Sequence, residues 1–456
     1  MNARNDRQFI DDTEAVVRLG SMLLSAGTGS YRVKRAMERA AEALGMDRHD
    51  ASVGINEMSV TAHRGDNFRT VVRQVYRVGV NSRRIEALEY LSRHLPDPCT
   101  AATLEAALDK VSRTVTARWK PWQSVLAAGV ACAGFSVLNR FSLTDSAVVL
   151  VAAACGQLVR RSASKRYLNQ FGTTALAAAT ASLVYLIVAA LVNSTGIQML
   201  RVGDPGYVAS LLFLVPGFPM ITSILDLARM DFTAGLARAA YTFGLVVSAT
   251  MSAWVISFLT GLTPLATESV LPAVWRWVAY GLATFFGVCG FAVLFNSSRR
   301  MVLIAASMGT VGNLSRIALT TASVPNQLAA GVGGLVIGLL AAPITRRFHL
   351  PRITVTVPAC VIMVPGTAMY RMMYWLNADD TVQALGFGVD AVLAVVAIGI
   401  GLAMARMLTD RGWTFARPIP SPHAFRFELE DWQANSPSPE APPSLPAPSG
   451  TQDQKS

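Results

Sequence analysis

Charge is scarce in this sequence. Asp, Glu, Lys and Arg supply 15% of its 456 residues, while 52% are hydrophobic. Soluble domains carry about 25% charged residues, so an ordinary soluble globular protein is excluded. Histidine and cysteine are also thin, at five each. His49, His63, His94, His349 and His423 show no metal-ligand spacing, and neither a metal nor another cofactor is expected. Of the cysteines, Cys132, Cys155, Cys289 and Cys360 fall in apolar stretches and read as small packing residues, with Cys99 outside them. No ATP-binding motif is present. Gly27-Thr-Gly29-Ser30 lacks the lysine of a P-loop and does not follow a strand, so it reads as a plain turn. No nucleic-acid recognition module appears, and the net charge of +11 fits basic cytoplasmic loops instead. The first twenty residues, with Asp6, Asp11, Asp12 and Glu14, hold no apolar signal-peptide core. The N-terminus is therefore expected in the cytoplasm.

What is present is a series of apolar stretches long enough to cross a bilayer. Ten spans are expected, at 122–138, 145–160, 171–192, 207–226, 236–259, 273–295, 300–316, 327–343, 353–375 and 385–408, the seventh and eighth being short. Residues 1–120 are mixed in character and read as a small α+β cytoplasmic domain. Glu14 to Leu24 suits a helix. Ser30 is placed to N-cap a second, with the stripe Val33, Met37, Ala40, Ala41 and Leu44, ending at Gly45. Ala51–Ala62 and Phe68–Tyr76 are strand-like, joined by an Arg64-Gly-Asp-Asn67 hairpin. Two helices follow, one with Ile85, Leu88, Leu91 and Leu95, the other with Leu104, Leu108, Val111 and Val115; Trp119 and Trp122 suit a membrane interface. The Pro- and Ser-rich residues 411–456 read as a disordered tail.

Basic residues concentrate in alternate loops: Arg160, Arg161, Lys165 and Arg166; Arg229 and Arg238; Arg299 and Arg300; Arg346, Arg347 and Arg352. The opposite loops carry few basic residues, and some are acidic (Glu268, Asp379, Asp380). The positive-inside rule then puts both termini in the cytoplasm.

Two motifs recur in order. Val215-Pro216-Gly217 and Val364-Pro365-Gly366 each interrupt an apolar stretch. Proline removes a helical hydrogen bond, and a bilayer tolerates such a break only where protein or a polar cavity satisfies the freed groups. Gly156-Gln-Leu-Val-Arg160 matches Gly312-Asn-Leu-Ser-Arg316. Asp231 and Asp380 each stand sixteen residues after the valine of their break. The expected fold is thus a polytopic all-α membrane protein built as an inverted 5+5 repeat, 121–260 and 261–410. In that architecture substrate sits near the midplane between the repeats.

The residues around the breaks also carry a family resemblance. Leu214-Val-Pro-Gly-Phe-Pro-Met-Ile-Thr-Ser-Ile-Leu-Asp226 and Thr233-Ala-Gly-Leu-Ala-Arg238 resemble the bacterial threonine/serine exporter family. Leu23-Leu-Ser-Ala-Gly27, Ala43-Leu-Gly-Met46, Phe291-Ala-Val-Leu-Phe-Asn296 and Gly309-Thr-Val-Gly-Asn-Leu-Ser-Arg316 extend the likeness over roughly residues 10–410. The resemblance implies efflux of small polar metabolites across the inner membrane. Fused members are linked to threonine and serine, and a related two-chain system to dicarboxylates such as succinate.

An ionisable group inside a span is a functional candidate by default. Arg316 and Arg371 are candidates for a substrate carboxylate, the latter alternatively an interfacial anchor. Arg160, at a span end, suits snorkelling. Asp226 and Asp390 are candidates for proton coupling; Asp390 is alternatively a structural pairing residue, and Asp226 could also hold a substrate amine, or simply pair with Arg229. Thr222, Asn296 and Asn313 can hydrogen-bond substrate, with the broken backbone at Pro216, Gly217, Pro365 and Gly366 lining the site. Gly334-x-x-x-Gly338 is a close-packing motif. Substrate, whether amino acid or dicarboxylate, and the lipid bilayer are the expected partners; a homo-oligomer stays open. A membrane-embedded hydrolase would have to draw on His63, His94, Asp66 and Glu57.

Overall fold

Long apolar helices form wherever the sequence supplies twenty or so residues without a break. The computed structural model describes residues 3–76, 79–96, 98–197, 201–261 and 273–414. Glu268 and all but the first four residues of the expected tail lie outside them. Among the described residues, eight helices are long and apolar enough to cross a membrane: α5 (Pro121–Leu138), α6 (Leu143–Lys165), α7 (Gln170–Asn193), α10 (Phe232–Thr260), α11 (Ala273–Leu294), α12 (Arg299–Thr321), α13 (Asn326–Phe348) and α16 (Thr381–Thr409). Two bent pairs raise the number to as many as ten. One joins α8 (Gly206–Ala209) and a short 3-10 turn to α9 (Gly217–Leu227) with a bend of 59°. The other joins α14 (Ile353–Val361) to α15 (Gly366–Asn377) with a bend of 51°. The seventh and eighth spans are longer than expected, 23 residues each. The helix of the seventh runs on past Arg316 to Thr321, and that of the eighth past Pro343 through Arg346 and Arg347, since Arg is a good helix former. Leucines, isoleucines, valines and phenylalanines such as Leu183, Ile187, Phe243, Phe258, Val392 and Ile400 remain exposed on the outer faces, as lipid-facing surface requires.

The helices pack in the same neighbour order on both sides of the central seam. In the first half α5 packs on α6, α6 on α7, α7 on α10, and α10 on α9; in the second, α11 packs on α12, α12 on α13, α13 on α16, and α16 on α15. The seam is α5 against α11. A Cβ on Gly134 would stand 2.6 Å from the Ala283 carbonyl oxygen, and one on Gly290 2.5 Å from that of Ala127. These two contacts exchange under one offset: Ala127 and Gly134 lie 156 residues before Ala283 and Gly290. The same offset relates Gly156, packed on Ala177 and Ala181, to Gly312, packed on Gly333 and Ile337.

The N-terminal region has its own hydrophobic core, formed by α1 (Ala3–Ser25), α2 (Ser30–Ala43), a three-stranded antiparallel sheet, α3 (Ser82–Arg93) and α4 (Ala101–Thr114). Leu19, Leu23, Met37, Met58, Val60, Leu88 and Leu104 meet there. Gly45, at φ +73°, ends α2, with its N–H on Glu42 O and that of Met46 on Ala41 O, a Schellman closure. The stretch Ala51–Ala62, read as one strand, is two: β1 (Arg48–Val53) and β2 (Glu57–Arg64) turn at residues 54–56, where Gly54 N–H donates to Glu57 O at 2.8 Å. Alternation runs into the turn through Ala51, Val53 and Ile55, and its phase changes at Asn56-Glu57 to Met58, Val60 and Ala62, the mark that the one-strand reading passed over. The Arg64–Asn67 hairpin to β3 (Asn67–Gln74) is present, with Gly65 at φ +57°. Glu57 and His63 lie six residues apart on β2, about 20 Å along a strand, and His94 follows α3, stacked on Tyr90. The four hydrolase candidates therefore do not converge.

Candidate functional site

Both breaks have the same local geometry. Pro216 (φ −79°, ψ 58°) and Pro365 (φ −81°, ψ 64°) are each the centre of a three-residue turn. Gly217 N–H reaches Val215 O at 2.8 Å, and Gly366 N–H reaches Val364 O at 2.9 Å. These are inverse γ-turns, which proline's fixed φ favours. The breaks also touch reciprocally. A Cβ on Gly217 would lie 2.8 Å from Val361 Cγ2, and one on Gly366 2.5 Å from Leu212 Cδ2; Val361 and Leu212 each precede their own break by the same step. Close backbone approach is what these two glycines supply. Nearby, the buried hydroxyls of Tyr207 and Tyr370 meet at 2.6 Å, tying α8 to α15.

A cavity of about 710 Å³ opens beside the first break. Gln157 and Arg160 from α6, Thr173 and Thr174 from α7, Pro216 and Phe218 at the break, Arg238 and Tyr241 from α10, and Phe291 from α11 line it. Gly27, Ile55, Gly79 and Val80 bring the N-terminal region to its rim. Gln157 Oε1 and Thr173 Oγ1 are buried and have no hydrogen-bond partner among the described residues. A buried acceptor left unpaired costs about 1–3 kcal/mol, so both groups are suited to a polar guest. Arg160, Arg161, Lys165 and Arg238 line the cavity, and no carboxylate does among the described residues.

Below the cavity the N-terminal region is latched to the membrane helices. Asp226 pairs with Arg238 at 3.2 Å, both side chains being nearly inaccessible. Asp226 Oδ1 also accepts from Ser30 N–H at 3.2 Å, with Ser30 Oγ 3.1 Å away. Arg238 Nη2 donates to Thr28 O at 2.8 Å. Ser30 Oγ donates to Asp231 Oδ2 at 2.7 Å, and Lys34 Nζ joins the same oxygen at 2.8 Å. Ser30 is therefore not the N-cap of α2. Gly29 takes that place without a side-chain bond, and the anion at the helix start is Asp226. This is the carboxylate-on-helix-N-terminus arrangement that backbone N–H groups favour. Nor does Asp226 pair with Arg229, whose guanidinium stacks on Tyr31 and Trp413.

The other sequence-named residues are dispersed. Thr222 is buried; its hydroxyl bonds Phe218 O at 3.1 Å and accepts from Arg238 Nη1 at 3.4 Å. Asn313 is buried in α12, donating to Thr284 Oγ1 at 2.9 Å and accepting from Arg316 Nε at 3.0 Å. Arg316 Nη1 donates to Asn326 Oδ1 at 3.0 Å. Arg371 stacks over Phe387, and Asp390 is exposed, accepting from Gln327 Nε2 at 2.7 Å. Asn296 holds the seam to the N-terminal region, accepting from Arg118 N–H at 2.8 Å and donating to Asn81 Oδ1 at 3.0 Å. Of the residues named for substrate or proton, Pro216 lines the large cavity, as does Arg160, which the sequence placed at a snorkelling span end.

Sequence reading left Gln157, Thr173, Arg238 and Tyr241 out of the site. A signal for Gln157 and Arg160 existed. They stand 156 residues before Asn313 and Arg316, as Gln170 stands before Asn326. Carrying the 156-residue offset over to the site residues would have found them.

An apolar-faced helical bundle with two broken helices beside a polar cavity defines a multi-pass membrane protein. The chain belongs to the threonine/serine exporter family: the profile described as "Putative threonine/serine exporter" matches residues 14–260, and that described as "Threonine/Serine exporter, ThrE" matches 280–408. It is similar to the "Probable threonine/serine exporter" of Mycobacterium tuberculosis, at 25% identity over 89% of this chain and 77% of that protein. It is 20% identical to the "Threonine/serine exporter" of Corynebacterium glutamicum over 86% of this chain and 81% of that protein. The "Probable succinate transporter subunit YjjP" of Escherichia coli is 27% identical over 50% of this chain and 86% of its own length. No solved structure matches the chain.

Proposed function

We propose that this protein is a secondary-active exporter of threonine, serine or similar small amino acids in the inner membrane. Both termini face the cytoplasm, and the membrane part is an inverted 5+5 repeat. The observation that carries the substrate reading is the likeness over most of the chain to proteins named threonine/serine exporters. The reciprocal contacts at the α5–α11 seam and at the two breaks support the repeat, because a two-fold relation exchanges equivalent residues. The cavity has the chemistry for a zwitterion. Arg160 supplies a charge-assisted donor for the carboxylate, while Gln157 Oε1 and Thr173 Oγ1 accept from the amine.

In this reading the large cavity is the cytoplasmic vestibule. Its counterpart on the other face is formed by Asn313, Arg316 and Asn326, here hydrogen-bonded to one another. Rocking of the halves about Pro216-Gly217 and Pro365-Gly366 opens one and closes the other. Arg371 and Asp390 stand near the outer mouth, and Asn296 at the cytoplasmic seam. The proton gradient drives export, with Asp226 and Asp390 as the candidate proton carriers. Protonation of Asp226 would weaken its hold on Arg238 and Ser30 and so release the latch; one charge crossing the membrane gains about 2.3 kcal/mol per 100 mV.

A second reading, a dicarboxylate exporter, is favoured by one observation: the vestibule is lined by four basic side chains and, among the described residues, by no acid. The similarity to the succinate transporter subunit points the same way. Counterflow in proteoliposomes separates the two. Vesicles loaded in turn with threonine, serine or succinate are followed for uptake of the labelled compound, with Gln157→Ala and Arg160→Ala alongside. Threonine or serine exchange, reduced in both variants, is the expected result. Succinate exchange without threonine exchange moves the assignment to dicarboxylates, and exchange unaffected by either variant removes the cavity from the mechanism.

A further inference from the structure

A second cleft, of about 350 Å³, lies where the N-terminal region meets the ends of α13 and α16, apart from the transport cavity. Its walls are dominated by arginine. Helix α2 contributes Arg32, Arg35 and Arg39, spaced to share one helical face. The membrane side contributes Arg346, Arg352 and Arg406. Arg93 completes the rim, and the carboxylates among the described lining residues are Glu89 and Asp410.

Those carboxylates do not balance the site. Glu89 is shared between Arg32, at 2.5 Å, and Arg93, at 2.9 Å. Other guanidinium groups are held by neutral oxygens: Arg352 Nη1 by Thr409 Oγ1 at 2.7 Å and Arg346 Nη2 by Thr409 O at 2.5 Å. Arg39 reaches Ser92 Oγ at 3.5 Å. Burial, then the neighbouring charges of Arg35 and Arg93, pushes the Arg39 guanidinium down from its ordinary value. A belt of arginines at helix ends facing the cytoplasm is ordinary. Arginines from a separate α+β layer converging on the same cleft are not part of such a belt. Like charges held this close repel unless an anion enters, and guanidinium forks match phosphate oxygens in pairs.

We propose that this cleft binds a phosphate-bearing anion, either a lipid headgroup or a soluble oligophosphate, which clamps the N-terminal region onto the ends of α13 and α16. Arg32, Arg352 and Arg406 also line the small cavity that reaches Asp226. Occupancy of the cleft therefore strengthens the latch at Asp226 and Ser30 without entering the transport cavity.

The test uses the full chain in nanodiscs of phosphatidylcholine alone, with sodium tripolyphosphate titrated at constant ionic strength against chloride. The expected result is a saturable rise in Tm. In Arg35→Gln/Arg39→Gln the half-saturating concentration should rise roughly tenfold, as loss of charge-assisted contacts predicts. The same variant without ligand should melt no lower than the parent, because repulsion has been relieved. A purely structural role for these arginines predicts the opposite, a lower Tm with no ligand dependence. Nanodiscs containing phosphatidylglycerol distinguish the source. A headgroup occupant raises Tm there before any addition and abolishes the tripolyphosphate response, whereas a soluble occupant leaves that response intact. No saturable shift with either probe, or equal shifts in parent and variant, overturns the proposal.

Discussion

Asp226 and Arg238 are charges placed where water is largely excluded, and each is the other's nearest counter-ion. Removing one member of such a pair typically costs about 3–5 kcal/mol, because the other charge is left uncompensated. Asp226→Ala is expected to lower thermal stability by that order, and Asp226→Ala/Arg238→Leu to recover most of the loss. Equal losses in single and double variants would mean the pair does not hold the seam. His49, on β1, gives a pH signature of a different kind. Burial pushes its imidazole from 6.5 down to about 4, against the weaker pull of Asp50. The unfolded chain then takes up the proton first, so this contribution to stability is lost as pH falls from about 6.5 towards 4. His49→Gln should flatten that part of a Tm-against-pH curve; an unchanged slope would assign the acid sensitivity elsewhere. None of this was legible in the sequence, because Ser30 and Asp226 stand 196 residues apart and nothing local marks them as partners.

At the scale of the element the sequence was more informative. Proline followed by glycine in an apolar stretch dictates a break, and both breaks are where Pro216 and Pro365 put them. The outer spans were legible because lipid-facing helices are apolar all round. The turn inside residues 51–62 was marked only by a one-residue phase change, Ala51, Val53 and Ile55 giving way to Met58, Val60 and Ala62. The α5–α11 seam depends on absent side chains. At Gly134 a Cβ would meet a carbonyl oxygen at 2.6 Å, and backbone cannot swing aside. Gly134→Ala should cost roughly 1–3 kcal/mol, the usual range for overpacking. Gly172→Ala, where nothing lies within 4 Å, is the matched control; replacing a helical glycine there should stabilise by about 0.4–1 kcal/mol. Thermal unfolding in one detergent compares them, and equal effects would remove the seam's tight packing from the account.

For the whole molecule, the recurrence of Gly-x-Leu-x-Arg and of Val-Pro-Gly was readable, but the cavity was not. Its walls come from six helices that only the fold brings together, and neither Arg238, which closes the Thr233–Arg238 segment, nor Tyr241 carries a local sign of facing a cavity. In the proposed mechanism Gln157 and Asn313 are equivalent positions on opposite faces of one transport path. The direct test replaces the five native cysteines, introduces Gln157→Cys or Asn313→Cys, and applies a membrane-impermeant thiol reagent to proteoliposomes of known orientation. The account predicts labelling of the two variants from opposite faces, with threonine or serine changing the two rates in opposite directions. Labelling of both from the same face would contradict it.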